Sequence, residues 1–361
     1  MKKRYFIMII ICIIPFLNGC MVGRFVWYNF SDITDHKIFP SRPLPKAAEP
    51  FRFTDAQRSD SIGNVSLTIL DSLVQANNSV AFLIIRNDSI LFEKYYQGYE
   101  ESSTVASFSA AKSYTSALVG AALADGFIKS VDEKITIFLP ELKSKKGFDK
   151  ITIKHLLQMT SGIKSSESYY NPFGQAAHIY YGRNLRSYIK RLKVDYEPGT
   201  KFAYRSINTQ LLGLIVERAT GKQLTAYLND RIWSKLQPEY DASWSIDKKN
   251  DGLEKAFCCL NAKARDFAKF GRLYLHKGNW DGEQVLPAQW IDESTTPDKS
   301  AGGAAYYKYQ WWMTRRGYEA NGLHGQYIFV SPEKNLIVVR LGKREGDISW
   351  EAVFDRLAEK L

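Results

Sequence analysis

Apolar runs at both ends of the chain predict β-strands. Ala81–Arg86 and Ser89–Tyr96 are β-rich runs separated by Asn87-Asp88, a pair typical of a tight turn, so together they predict a hairpin. Ser349–Leu361 has the apolar spacing of an amphipathic helix. Three further strands are predicted before that helix: Tyr309–Thr314, Tyr327–Val330 and Asn335–Leu341.

The middle of the chain, about residues 140–275, combines helical periodicity with polar loops. Strands at both ends with helices between them predict one sheet built from distant segments. The fold class is therefore α/β (α+β): an antiparallel β-sheet flanked by helices, with an inserted, mostly helical lobe. We assign residues 56–361 to this domain.

The first residues have the pattern of a bacterial lipoprotein signal. Lys2-Lys3-Arg4 precede the apolar run Tyr5–Leu17, which is too short for a comfortable transmembrane helix. Leu17-Asn18-Gly19-Cys20 follows, and we expect cleavage before Cys20 and lipidation of its thiol; the alternative is an uncleaved anchor. Residues 21–55 contain four prolines and are predicted to be an extended tether. The expected location is the cell envelope, on the periplasmic or outer side of a membrane.

The cysteines and the net charge restrict the classes of function that the chain can have. After Cys12 and Cys20, only the neighbours Cys258 and Cys259 remain; they cannot link distant elements, and we interpret them as a free buried pair. The formal net charge of +11 includes three positive charges before Cys20, so the cleaved chain carries +8. Because the lysines are scattered among acidic residues, nucleic-acid binding is not expected.

No metal or other cofactor is expected either. The five histidines form no His-x-x-x-His pair, and the chain has no Cys-x-x-Cys, Gly-x-Ser-x-Gly or phosphate-loop motif. The partner expected from the first residues is the membrane that holds the lipid anchor. We expect a monomer.

The candidate nucleophile is Ser109, in Ser109-Ala110-Ala111-Lys112. It begins the helical run Ser109–Leu123, where the positive end of the helix dipole favours negative charge on its oxygen. Lys112 lies one turn further on the same face, and a lysine with a lowered pKa can take the serine proton. The spacing alone is weak evidence, because it recurs four times, at Ser161, Ser187, Ser245 and Ser331.

Two later motifs supply further candidates. Tyr204 lies between the Pro198-Gly199 turn and a helix predicted over Leu211–Ala219, and its hydroxyl is a possible proton shuttle. Gly322-Leu323-His324-Gly325-Gln326 enters a predicted strand, where a glycine allows the backbone to approach a ligand and a free N–H can serve an oxyanion.

From about Val80 to Gly342 the chain resembles the serine β-lactamase and penicillin-binding-protein superfamily, in its class C-like branch. The resemblance depends on the Ser109 motif, on Pro198-Gly199-Thr200-Lys201-Phe202-x-Tyr204 and on several further ordered segments. The stretch Glu167-Ser168-Tyr169-Tyr170-Asn171-Pro172 is most similar to the 6-aminohexanoate-dimer hydrolase-like enzymes. This resemblance implies the same two-lobed fold, with the active site between the lobes.

The resemblance also implies roles for individual residues. Ser109 would be the acylated nucleophile, Lys112 its base and Tyr204 the proton relay. The N–H groups of Ser109 and Gln326 would form the oxyanion hole. Other residues would support the site or bind substrate: Ser206, His324, Gly325, Tyr169 and Tyr170, with Trp311 and Trp312 as further aromatic candidates for the cleft or for the core.

Two departures from the family pattern affect the expected substrate. Ser206 stands where the family's second motif usually has Asn, and Leu323-His324-Gly325 stands where Lys-Thr-Gly is frequent. The missing lysine removes a permanent cation for a substrate carboxylate, although His324 offers a donor, or a charge in mild acid. We therefore expect a serine hydrolase for an ester or small amide and little classical β-lactamase activity. The alternative is a silent or slowly deacylating penicillin-binding-type protein that binds cell-wall peptides.

Overall fold

The computed structural model describes residues 21–28, 30–56, 61–168, 171 and 173–361. Within these residues the strands run from β1 to β16 along the chain. Their bounds are β1 Ser41–Leu44, β2 Thr54–Asp55, β3 Ser61–Ile62, β4 Val65–Ser66, β5 Ser79–Arg86, β6 Ser89–Tyr95, β7 Val105–Ala106, β8 Ala242–Ser245, β9 Leu260–Ala262, β10 Asn279–Trp280, β11 Glu283–Gln284, β12 Tyr307–Lys308, β13 Trp311–Met313, β14 Tyr318–Gly322, β15 Gln326–Ser331 and β16 Leu336–Gly342.

The helices of the described residues separate these strands. Their bounds are α1 Met21–Tyr28, α2 Leu67–Ala76, α3 Ala111–Ala124, α4 Ile153–Leu157, α5 Gln175–Tyr181, α6 Leu185–Ile189, α7 Ser206–Thr220, α8 Leu224–Leu228, α9 Ala264–Leu275, α10 Ala288–Ser294 and α11 Trp350–Lys360. A 3₁₀ turn, Phe108–Ala110, leads directly into α3.

The largest sheet joins strands from both ends of the described chain. Its order is β12-β13-β14-β15-β16-β5-β6-β2, and neighbours are antiparallel except for the parallel pair of β2 and β6. The β5–β6 hairpin and its long-range pairing with β16 confirm the sheet that the sequence predicts. A smaller sheet, β1-β8-β9-β7, was not predicted; its strands are short and come from four separate segments.

Alternate side chains of the large sheet enter two different cores, as the two-residue repeat of a strand requires. Phe82 and Ile84 of β5 pack on one face with α2 and α11. Leu83 and Ile85 lie in the larger core on the other face, which includes residues of α9. Gly271 lets α9 approach this face, because a Cβ there would lie 3.0 Å from Ile328 and Ile337.

Helices and turns between β6 and β10 form the lobe that faces the sheet. In its centre α3 packs against α7, and both are almost entirely buried. The helix predicted over Leu211–Ala219 is confirmed and extends over α7, ending at Gly221 in the left-handed conformation. Tyr204 precedes α7 in an irregular segment, as predicted.

The tether predicted over residues 21–55 is wrong, because this segment packs on the domain. β1 pairs with β8, and β2 extends the large sheet. The apolar side chains of Phe39, Leu44 and Phe53 are buried, which outweighs the extended preference of the prolines. Pro43 lies in β1, at the edge of its sheet, where a missing N–H is tolerated.

The predicted signal and Cys20 lie outside the described residues. Among the helices that are described, none combines the length and the hydropathy needed to cross a bilayer.

A substitution at Phe354 of α11 tests how much the smaller core contributes to stability. Its buried ring packs against Phe82, Phe329 and Trp350. We expect Phe354→Ala to lower the free energy of unfolding by about 3–5 kcal/mol, because the change removes apolar contacts and leaves a cavity. Urea denaturation measures this change. Ile69→Ala, at a side chain that is 72% exposed, should change stability by less than about 0.5 kcal/mol; equal effects would contradict the packing.

Candidate active site

Ser109 lies on the 3₁₀ turn that precedes α3. The preceding Phe108 has φ 44°, a left-handed conformation that is costly for a residue with a Cβ. The helix predicted to begin at Ser109 begins at Ala111 instead, so Ser109 lies just before its first turn. The side chain is partly exposed where two cavities meet.

Lys112 is buried beneath Ser109. Its Nζ lies 2.7 Å from Ser109 Oγ and donates to the Phe257 carbonyl at 3.0 Å. It also lies 5.0 Å from the centre of the Tyr204 ring. Burial lowers the pKa of Lys112 to about 7, and the nearby Glu167 carboxylate only partly opposes this effect. At neutral pH the amine is therefore substantially unprotonated and able to accept a proton.

Tyr204 completes the group that the sequence predicts. Desolvation raises the pKa of its phenol, while a hydrogen bond with Ser109 lowers it. The net shift is upward, so the phenol is protonated at neutral pH. Its ring packs against Tyr307 and Trp312. The structure therefore brings Ser109, Lys112 and Tyr204 together.

Ser206, the first residue of α7, is held by Glu167. Its backbone N–H and its Oγ donate to the two oxygens of this carboxylate at 2.6 and 3.0 Å. A carboxylate at a helix N-terminus satisfies free N–H groups and complements the helix dipole. Glu167 thus connects the loop before α5 to the start of α7. Sequence reasoning missed this role, since no local pattern links residues 39 positions apart.

Gly322, at the end of β14, packs against the nucleophile turn. A Cβ on Gly322 would lie 3.1 Å from the backbone nitrogens of Ser109 and Ala110, and closer still to the Ser107 carbonyl. The following residue, Leu323, lines both cavities that meet at Ser109. The close approach of this glycine is to the backbone of the nucleophile turn; an approach to a ligand stays a prediction.

The oxyanion role of the Gln326 N–H stays a prediction, and the side chain of Gln326 has a separate, structural role. It is 1% exposed and lies outside the lining of both cavities. Its side-chain amide donates to the carbonyls of Leu323 and Gly342 and so ties the turn between β14 and β15 to β16. The backbone that the structure places beside Ser109 is that of Gly322, and the next residue, Leu323, lines both cavities.

His324 and Gly325 shape this same turn. His324 Nε2 lies 2.9 Å from the Ser31 carbonyl, and its ring packs on Phe108. Burial lowers the pKa of His324, so the ring is neutral at neutral pH and does not replace the missing cation. Gly325 has φ 79°, and a Cβ there would collide with the Arg340 guanidinium.

The other serines with the Ser-x-x-Lys spacing have different surroundings. Ser161 donates to Asn208, Ser245 accepts from Asn261, and Ser331 donates to the Arg316 carbonyl. Ser187 follows the first residues of α6, whose N-terminus is capped by Asn184. Ser109 is therefore the member of this set that the structure pairs with its lysine.

Cys258 and Cys259 form a disulfide, which corrects the prediction of a free pair. Adjacent cysteines have their Cα atoms only 3.7 Å apart, and Cys259 adopts φ 68°, so the two side chains meet. The sequence argument excluded only a bridge between distant elements. The pair follows Phe257, whose carbonyl accepts from Lys112, and Cys258 lines a cavity at Ser109.

Of the aromatic residues predicted to line the cleft or to lie in the core, one is found in each place. Trp312 lines a cavity with Ser109 and Tyr204, whereas Trp311 is fully buried in the large core. Tyr169 and Tyr170 lie outside the described residues.

The two cavities at Ser109 differ in character. The apolar cavity is narrow and partly open to solvent, and it is lined by Phe25 of α1, by residues of α5 and by the residues around Phe257. The polar cavity is the roomier of the two and lies on the Tyr204 side. Its lining consists of Ser109, Tyr204, Trp312, Asn321, Gly322, Leu323, Tyr327 and Glu345.

Comparisons with known proteins agree with this geometry. A family model described as beta-lactamase matches residues 69–358. The 6-aminohexanoate-dimer hydrolase of Paenarthrobacter ureafaciens is 27% identical over 296 residues, which cover 75% of this chain and 74% of that protein.

Solved structures show the same fold. A Bacillus anthracis protein provisionally named a 6-aminohexanoate-dimer hydrolase superposes with a TM-score of 0.78 at 24% identity, covering 91% of this chain and 93% of that one. A family VIII carboxylesterase gives a TM-score of 0.61 at 15% identity, covering 81% of this chain and 94% of that one.

The low pKa of Lys112 is directly testable by NMR of isotopically labelled lysine side chains. We expect two lysine signals to titrate at about pH 7, because burial also lowers the pKa of Lys255 to about 7. Lys112→Met should remove one of these signals and leave the other. A Lys112 signal that titrates near pH 10, as for an exposed lysine, would contradict the geometry.

Proposed function

The chain belongs to the β-lactamase family, and we propose that it is a serine hydrolase that cleaves an ester or small amide through an acyl-enzyme on Ser109. One observation carries the proposal: a buried amine with a pKa of about 7 lies 2.7 Å from the oxygen of a partly exposed serine. This arrangement activates a nucleophile without histidine or metal.

In the first step the neutral Lys112 amine takes the proton of Ser109 as Oγ bonds to the substrate carbonyl carbon. The carbonyl oxygen becomes an oxyanion. We assign its stabilisation to the backbone N–H groups of Ser109 and Leu323; Leu323 is preferred to Gln326 because it lines both cavities and follows Gly322, which packs on the Ser109 turn. Donors fixed in advance at this position lower the barrier without reorganisation.

Tyr204 then gives its phenolic proton to the leaving alcohol or amine, and the bond between the carbonyl carbon and the leaving group breaks. The Lys112 ammonium returns a proton to Tyr204, whose ring lies 5.0 Å from Nζ. Water then bonds to the acyl carbon while its proton passes through Tyr204 to the neutral Lys112 amine. The bond from that carbon to Ser109 Oγ breaks, and the Lys112 ammonium returns the proton to Oγ, which releases the acid.

The lining of the site favours a neutral ester or amide over a classical β-lactam. Among the described residues that line the two cavities, none is Lys or Arg. His324, which stands in the third motif, is neutral at neutral pH and engages Ser31. A substrate carboxylate would therefore lack the cation that the Lys-Thr-Gly motif supplies elsewhere in the family.

The nucleophile assignment is tested with a fluorophosphonate probe and p-nitrophenyl acetate. We expect one adduct on the wild type and none on Ser109→Ala, with ester hydrolysis reduced at least about a hundredfold. Ser187→Ala is the matched control, because it removes a serine of the same spacing, and it should behave as wild type. Near-normal hydrolysis by Ser109→Ala would overturn the proposal.

The same experiment separates hydrolysis from the alternative of a penicillin-binding-type protein. Intact-protein mass spectrometry after ester addition shows whether acyl-enzyme persists. A stable acyl adduct without turnover would favour the slowly deacylating binding protein. A folded wild type that the probe does not label would favour a silent one.

We also propose that the chain is anchored in the bacterial envelope by a lipid on Cys20. The basic residues, the apolar run and Leu17-Asn18-Gly19-Cys20 support this proposal.

Metabolic labelling with a palmitate analogue in a bacterial host tests the anchor. We expect labelled protein in the membrane fraction for the wild type and for the control Cys12→Ser, because Cys12 lies within the predicted signal. Cys20→Ser should lose the label, since the acceptor thiol is gone. A label that persists in Cys20→Ser would exclude this attachment site.

A further inference from the structure

The apolar cavity beside Ser109 has walls of rings and methyl groups. Phe108 and Phe257 flank the nucleophile, and Leu323 closes the side toward the sheet. Ala177 and Tyr180 of α5 form the opposite wall. Small alanine side chains next to the rings leave the empty space, which therefore suits an apolar group attached to the reacting carbonyl.

Charged groups near this cavity are engaged with other partners, as Glu167 is with Ser206, a lining residue. The Tyr180 hydroxyl donates to Asp35 at 2.6 Å, and burial raises the pKa of that carboxyl to about 6. Lys255 Nζ donates to the Tyr180 carbonyl at 2.5 Å and faces the Phe39 ring. None of the described residues that line this cavity carries a charge, so a charged acyl group placed there would lose its hydration without an ionic partner.

The N-terminal segment forms the remaining wall, through Phe25 of α1 and Ser31. The Phe25 ring packs edge-on against Tyr181 with the centroids 5.6 Å apart, and Arg24 donates to the Tyr181 carbonyl at 2.8 Å. Ser31 is held by His324, as described above. This segment lies outside residues 69–358, the part that the family model matches. This wall therefore comes from outside the residues that the family model matches.

The polar cavity offers the space for the leaving group of a substrate. Tyr204, the proposed donor to the leaving group, lines the polar cavity and not the apolar one. A leaving group protonated by Tyr204 therefore departs on the polar side. The acyl group is left on the apolar side, against Phe25 and Ala177.

We propose that the N-terminal segment completes an acyl-binding pocket and thereby selects substrates with an uncharged, apolar acyl group. This inference rests on the proposed hydrolase function and names its substrate class. Phe25 and Ala177 are the specificity-determining residues: Phe25 closes the pocket, and Ala177 keeps it open.

The test compares kcat/KM for p-nitrophenyl acetate, butyrate, octanoate and hemisuccinate. Two extra buried methylenes should favour butyrate over acetate about tenfold, and hemisuccinate, of similar length but charged, should react at least about tenfold more slowly than butyrate. Ala177→Trp should reduce the butyrate-to-acetate ratio to about one, because the indole fills the space. Phe25→Ala should raise the octanoate-to-butyrate ratio several-fold, because it opens the wall.

Phe127→Ala is the matched control, since this phenylalanine is 46% exposed and lies outside both cavities. It should leave every ratio unchanged. Fluorophosphonate labelling of Ser109 in each variant verifies that the site is folded. The acyl-pocket proposal would be wrong if the labelled variants kept the wild-type ratios of kcat/KM, or if the wild type preferred hemisuccinate. The proposed hydrolase function would not be affected by either result. An unlabelled, inactive wild type would overturn the hydrolase itself and the pocket with it.

Discussion

The chemistry of this site depends on keeping the Lys112 amine out of water. A solvated lysine is protonated near pH 7 and cannot take a proton from serine. Here one carbonyl, that of Phe257, and two aromatic rings surround Nζ, while the nearest carboxylate, on Glu167, is engaged with Ser206. The surroundings therefore provide a hydrogen-bond acceptor without fully stabilising the ammonium form.

This environment is possible only because distant segments meet there. α3 supplies the lysine and packs against α7, which Tyr204 precedes. β14 brings Gly322 against the nucleophile turn, where any side chain would displace the backbone of Ser109. The sheet therefore contacts the Ser109 turn through Gly322, whereas the helical lobe supplies Lys112 and Tyr204.

Local sequence patterns were sufficient to predict the features that one turn or one hairpin forms. Ser109 and Lys112 lie on consecutive turns, and the β5–β6 hairpin has its own turn signal. Contacts between remote segments had no such signal: Glu167 with Ser206, Leu323 beside Ser109, and the packing of residues 21–55. The prolines in that last segment indicated extension, which is also compatible with an edge strand.

The third motif of this chain lacks the lysine that is frequent in the family, whereas Ser109, Lys112 and Tyr204 are retained. His324 stands near the place where a family lysine would face a substrate carboxylate, but it contacts the Ser31 carbonyl instead. The motif therefore lacks the family cation, and its His324 contacts Ser31, a residue that lines the apolar cavity. Residues 109–323 of the family domain carry the proposed chemistry, and the proposed acyl pocket combines residues of that domain, such as Ala177, with Phe25 and Ser31 from the segment outside it. Selectivity therefore depends on both parts of the chain, which meet where His324 contacts the Ser31 carbonyl.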